Sequence, residues 1–321
     1  MRPRNPRRSV TGMTIEIRPM RRTDIPGAFA LIQKAYPCLV FTEALMTERF
    51  DRPLTYYRDQ RLVAVRGERV VGHVLSRLHE SEKGRTYGQS YMAAVAPPLV
   101  DGDLSDRLLA ASERNLVDNG ADVLSADAAE ERVQVGGEGF RRAILDRGYT
   151  LVESGQILGL DLATLPGPPT APEGAELRTF REFADDPRPL YEVDRATSED
   201  EPGGFDDGFL PYEDWVRVLW NNPLADHDLS LVLLLDGVPV TISCYKSDGT
   251  GRMESGMTGS LREYRGRGLA TYTKTKALHL AREMGVRHAY TGNHADNKPM
   301  LAINDRLGYR VVGSEETYRR P

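Results

Sequence analysis

The chain is poor in cysteine, lysine and long apolar runs, and each scarcity excludes something. Its only cysteines are Cys38 and Cys244. They lie far apart with no export signal upstream, which argues against a disulfide framework and for a reduced, cytoplasmic protein. Together with the six histidines they form no metal-ligand spacing, so no metal is expected. No apolar stretch reaches the roughly 18–20 residues that cross a bilayer, so no membrane partner is expected. Lysine occurs only at positions 34, 83, 246, 274, 276 and 298, and no long basic run follows residue 12. With a net charge of −5, nucleic acid is not an expected partner, because neutralising phosphates takes clustered cations. No Gly-x-Ser-x-Gly nucleophile motif is present. Residues 1–12 are basic without a following hydrophobic stretch. They read as a disordered tail rather than a secretory signal, with Met13 as the start.

What is present points to two domains. A chain of 321 residues, 40% hydrophobic and 28% charged, is long enough for two cores. It resembles itself at an offset of 160 residues. Ile15-Glu16-Ile17-Arg18-Pro19 aligns with Ala175-Glu176-Leu177-Arg178-Thr179, and Leu145 to Tyr149 with Asn304 to Tyr309. Each half carries a hairpin signal, Gly67 between apolar runs in the first and Asp236-Gly237 in the second. Residues 164–173, rich in proline, read as a linker. The expected organisation is a domain at 13–163, a linker at 164–173 and a domain at 174–321. The expected fold class is α/β (α+β), each half a mixed, mostly antiparallel sheet flanked by helices.

Residues 252–310 carry the chemistry. Arg252 to Leu261 reads as a strand, followed by Arg265-Gly266-Arg267-Gly268-Leu269-Ala270 and a helix ending at Gly285. Free amides at a helix start, with glycines that let the backbone come close, suit an anion such as phosphate. Along this helix Leu269, Ala277, Leu280, Ala281 and Met284 share the apolar face, while Lys274, Arg282 and Glu283 fall outside it; His279 is expected at the surface. A strand at 286–291 comes next, then Asn293, and then Asn297 as N-cap of a second helix with Pro299 in its first turn.

This stretch resembles the GNAT acyltransferase superfamily. Arg265-x-x-Gly268-x-Ala270 fits the family's pyrophosphate loop, and Asn297 to Tyr309 fits its downstream Asn…Leu-Gly-Tyr signature. The whole chain is similar to the tandem actinobacterial type with one degenerate copy, a mycothiol-synthase-like layout. In the first half the loop position reads Val95-Ala96-Pro97-Pro98-Leu99-Val100-Asp101-Gly102-Asp103. Asp101 and Asp103 there put negative charge where phosphate would sit, so this copy is not expected to bind CoA in the usual way.

The resemblance implies acetyl-CoA as co-substrate and a small-molecule amine as acceptor, handled by a monomer or homodimer. Arg265 to Ala270 would cradle the pyrophosphate, with Asn293 and Asn297 nearby. Met257, Thr258, Gly259 and Ser260 would line the pantetheine arm, and an N–H near Thr258 would polarise the thioester. Glu254, on the strand face of Thr258, is the candidate base. Glu199, Asp200 and Glu201 would face a cationic substrate. Asn304 holds the position where many relatives carry a tyrosine that protonates the departing thiolate; asparagine cannot act as that acid. Tyr264 and Tyr290 are substitutes, while Tyr309 is expected in the core. Two other readings remain open: a non-catalytic acyl-CoA sensor or scaffold, and the same fold moving an unusual acyl or imidoyl unit in antibiotic metabolism.

Overall fold

The computed structural model describes residues 14–54, 57–81, 84–100, 102–167, 169–199, 209–294 and 296–320. The expected tail at 1–12, Met13, Asp101, Asp200 and Glu201 lie outside them. In the first half the elements are β1 (Ile15–Pro19), α1 (Ile25–Ala35), α2 (Glu43–Asp51), β2 (Arg58–Arg66), β3 (Arg69–Glu80), β4 (Thr86–Val95), α3 (Leu104–Asp118), β5 (Val123–Ala129), α4 (Glu138–Asp146) and β6 (Thr150–Asp161). In the second they are β7 (Ala175–Thr179), α5 (Arg188–Ser198), α6 (Tyr212–Trp215), β8 (Leu231–Leu235), β9 (Val238–Ser247), β10 (Arg252–Ser260), α7 (Leu269–Glu283), β11 (His288–His294), α8 (Lys298–Leu307) and β12 (Arg310–Arg320). The β8–β9 turn is built as its residues require: Asp236 and Gly237 take φ of 52° and 78°, the positive pair that a two-residue hairpin needs.

The strands join in one mixed sheet, in the order β1-β2-β3-β4-β5-β12-β6-β11-β10-β9-β8-β7. Pairing is antiparallel except for β4–β5 and β10–β11. Those two pairs are parallel because α3 and α7 carry the chain back across the sheet between their strands. The final strand of each half crosses the midline. β6 pairs with β11 of the second half, β12 pairs with β5 of the first, and the two pair with each other. At the centre Gly155 lies opposite Glu315, residues that correspond under the 160-residue offset, so the repeat axis runs through this pair. Among the described residues the exchange leaves β1 and β7 as the sheet edges, where two separate sheets would present four unpaired rows of N–H and C=O.

Separate apolar clusters fill the halves. One gathers α1, α3 and α4 under β2–β5, and others pack α5, α7 and α8 on β8–β11. A smaller one joins the halves, where Val40 and Leu45 meet Leu224 with Phe41 and Tyr290 beside them. Helix α7 differs from its expected single apolar stripe. It packs against β8, β9 and β10 and against the turn after β6, so residues all around it are enclosed. Lys274 is 1% exposed and His279 is buried, its Nε2 2.9 Å from the carbonyl of Pro166. Met284, expected in the core, is 53% exposed at the helix end. Tyr309 is buried as expected.

Candidate active site

The site begins where two parallel strands part. β10 and β11 pair only from Arg252↔His288 through Glu254↔Tyr290. Beyond that, the register of β10 against β9 jumps between Ser255 and Thr258, which sets Gly256 and Met257 opposite Cys244 alone. Such a bulge bends its strand, and here it opens a V between β10 and β11. A cavity of about 730 Å³ occupies the V and runs to the start of α7.

At one end of the cavity lies the loop before α7. Gly266 and Gly268 have φ of 75° and 76°, a conformation that costs a residue with a Cβ and frees the backbone to face outward. The amide of Arg265 bonds back to Arg262, and Tyr272 is the first residue of α7 whose amide closes onto the loop, at Gly268. Among the described residues, no acceptor meets the N–H groups of residues 266–271. Six uncapped donors at the positive end of a 15-residue helix suit an anion. Arg265 adds a guanidinium, its Nε donating to the Ser260 carbonyl at 3.1 Å.

Ser255, Thr258 and Thr291 bring hydroxyls to the other end, backed by a buried layer of further hydroxyls. Ser243 lies 2.8 Å from the Thr258 hydroxyl and donates to the Tyr245 hydroxyl at 2.9 Å. Ser255 lies 3.5 Å from the Tyr309 hydroxyl. Burial pushes the phenols of Tyr245 and Tyr309 up, well above the usual tyrosine range. Glu254 stands on the wall, 3.4 Å from Lys246. Lys274 reaches the same cavity from α7, its ammonium drawn down to about 7 by burial.

The sequence-derived candidates distribute as follows. Residues 257–260 of β10 line the cavity, as do Arg265, Gly266, Gly268, Leu269 and Ala270. Asn293 and Asn297 line it too, and Asn297 caps α8 by accepting the Met300 amide at 3.3 Å. Arg267 is exposed and not part of the wall; its guanidinium lies 5.8 Å from the Tyr264 ring centre. Asn304 lies behind the wall, fully buried. Its Nδ2 donates to Asn293 Oδ1 at 2.7 Å, while its Oδ1 has no partner among the described residues. Glu199 is exposed at the end of α5, whose Thr197 touches the cavity. Thr197 also explains Gly259, since a Cβ there would come within 2.7 Å of it. Tyr264 is on the wall; Tyr290 is not. Among the described residues, no three His, Cys, Asp or Glu side chains gather as a metal site.

The first half holds the same V between β4 and β5, which pair from Tyr87↔Val123 through Ser90↔Ala126. Its opening is filled by Gln134, 2% exposed. The Gln134 side chain donates to the Ala93 carbonyl at 2.8 Å and accepts from the Ala129 amide at 3.0 Å, spanning the gap as a peptide group would. Before α3 the amides of Leu99, Val100 and Gly102 bond within their own loop. Asp103 sits beside Arg107 at 3.8 Å. A depression of about 880 Å³ in this half lies elsewhere, between α1 and the β2–β3 hairpin, among Lys34, Arg66 and Glu68.

Residues 188–309 match the family model described as the Acetyltransferase (GNAT) family. No curated protein matches the sequence. Among solved structures, a tandem GNAT protein from the clavulanic acid biosynthesis pathway superposes with a TM-score of 0.74 at 21% identity, over 96% of this chain and 98% of that one. A GCN5-related N-acetyltransferase from Sphaerobacter thermophilus does so with a TM-score of 0.68 at 18% identity, over 95% of each. A GNAT-family acetyltransferase from Colwellia psychrerythraea gives 0.62 at 12%, over 95% and 100%. The chain therefore has the tandem GNAT fold, and residues 188–309 of its second half match the GNAT family model.

Proposed function

We propose that the chain is an N-acyltransferase that moves an acetyl group from acetyl-CoA to a primary amine of a small molecule. The observation that carries this reading is one cavity joining the uncapped amides of residues 266–271 to the crotch of the β10–β11 V. Acetyl-CoA supplies an acyl group already activated as a thioester. The loop amides and Arg265 would hold its diphosphate, stabilised by the dipole of α7. The stretch 257–260 of β10 would accompany the pantetheine arm along the edge that the splay leaves unpaired.

The remaining roles fall to groups at the crotch. A backbone N–H near Thr258 would donate to the thioester oxygen as charge grows on it, an effect worth on the order of 3 kcal/mol per donor. Glu254 would take the proton of the attacking amine, directly or through water. Glu199, exposed at the end of α5, would draw a cationic acceptor to the mouth; Asp200 and Glu201, expected to act with it, lie outside the described residues. The first half, its V wedged by Gln134, would shape the molecule without holding a second donor.

The test is release of free CoA from acetyl-CoA in the presence of a panel of polyamines, aminoglycosides and amino sugars. Turnover on at least one amine, lost in Glu254→Gln by about 100-fold or more, supports the proposal. Tight CoA binding with no turnover on any amine would point to the acyl-CoA sensor, a reading favoured by Asn304 standing in the acid's position.

A further inference from the structure

Among the described residues, no oxygen hydrogen-bonds to the buried amine of Lys274. Its Nζ lies 4.0 Å from the Met300 sulfur and 5.2 Å from the centre of the Tyr309 ring. Among the described residues no carboxylate pairs with it, and burial alone sets its proton affinity. A solely structural position in this helix would be filled at lower cost by leucine or methionine. The side chain nevertheless borders the cavity, so a bound anion is the partner the position lacks.

Its place along the cavity identifies the anion. Lys274 stands four residues after Ala270, about 6 Å along the helix axis and on the same face. It therefore lies inward of the anion loop, on the side of the crotch. There it meets Tyr309, whose hydroxyl lies 3.5 Å from Ser255, the β10 residue after the last β10–β11 pair. If the diphosphate sits on 266–271, as proposed above, the sulfur of the same molecule belongs at the crotch.

Resting on that reading, we infer that Lys274 is a further catalytic residue, whose ammonium protonates the sulfur of the departing thiol, a task Asn304 cannot perform. The amine nitrogen bonds to the acyl carbon as the carbon–sulfur bond breaks. The electron pair of that bond stays on sulfur and takes a proton from Nζ. The amine's proton leaves toward Glu254 or water, and neutral Lys274 regains a proton from solvent after the thiol departs. Among the described residues, the titratable groups facing Lys274 are Tyr309, from the turn between α8 and β12, and Tyr245 of β9 beyond it; Glu254, Tyr264, Arg265 and Arg306 stand elsewhere on the wall. Both phenols are held neutral by burial, which leaves the lysine as the group able to exchange a proton near neutral pH.

The test needs no acceptor. CoA is bound to wild type, Lys274→Met and Lys274→Arg, and the thiol of bound CoA is titrated through its thiolate absorbance, alongside affinities for CoA and ADP. A free thiol titrates near about 8.5. The expected result is a bound thiol at least one unit lower in wild type and in Lys274→Arg, returning to the free value or above in Lys274→Met, with ADP affinity unchanged. An unshifted thiol in wild type, or the same low value in Lys274→Met, overturns the assignment while leaving the CoA site standing. A tenfold loss of ADP affinity in Lys274→Met with no change at the thiol places the lysine on the diphosphate and overturns it too. Failure of wild type to bind CoA or ADP removes the site reading itself, and this inference with it.

Discussion

The two halves are built on one frame and differ in what stands between their parting strands. In the first, a glutamine side chain closes the V and the loop before α3 bonds the amides of Leu99, Val100 and Gly102 within itself. In the second, a bulge opens the V, and two glycines of positive φ turn six amides outward. The second half thus keeps a deficit of internal hydrogen bonds, held in place by the sheet, of the kind a ligand could fill. In the first half one buried amide fills that deficit within the same fold. The halves are also not independent, because each lends its last strand to the other.

That interdependence gives the largest predicted effect. A chain ending at Tyr309 loses β12, the strand that bridges β5 and β6. It should show no cooperative thermal transition in calorimetry; a sharp transition for either half would mean that the halves fold alone. Next comes the loop. Gly268→Glu forces a residue with a Cβ to φ near 76° and brings a carboxylate to the anion site. CoA affinity should fall more than 100-fold while the melting temperature drops by only a few degrees.

Stability against pH separates the halves again, since the unpaired buried lysine belongs to the second. In the CoA-free protein Lys274 titrates at about 7, against about 10.4 when unfolded. Between those values the unfolded chain binds a proton that the folded one does not, so native stability rises with pH across that window and is lowest below 7. Lys274→Met removes the penalty. It should be more stable than wild type by on the order of 4 kcal/mol below pH 7, the gap closing toward pH 10, as read by urea denaturation. The smallest effect belongs to the first half. Gln134→Ala leaves the Ala93 carbonyl and the Ala129 amide without this partner, costing about 1–3 kcal/mol with no change in CoA affinity.

Much of the second half was legible because its signals are local. Asp236-Gly237 specifies its turn, Asn297 its cap, and the glycines around Arg267 their loop, each through backbone sterics that need no neighbour. The strand exchange was not legible. β6 and β12 are equivalent repeats, and period-two burial shows which face a strand hides, not which strand lies beside it. Lys274 was misplaced for a related reason: a helical wheel assumes one buried face, and α7 is packed from several sides. Gln134 gave no signal, since a lone glutamine in a polar loop reads as solvated until the strands it spans are known.

The central claim is that the second half alone carries an open nucleotide-thioester site. Calorimetric titration of the wild-type chain with CoA tests it most directly. One molecule per chain, lost in Gly268→Glu and kept in Gln134→Ala, is the predicted result. Two molecules per chain, none, or binding indifferent to Gly268→Glu would contradict it.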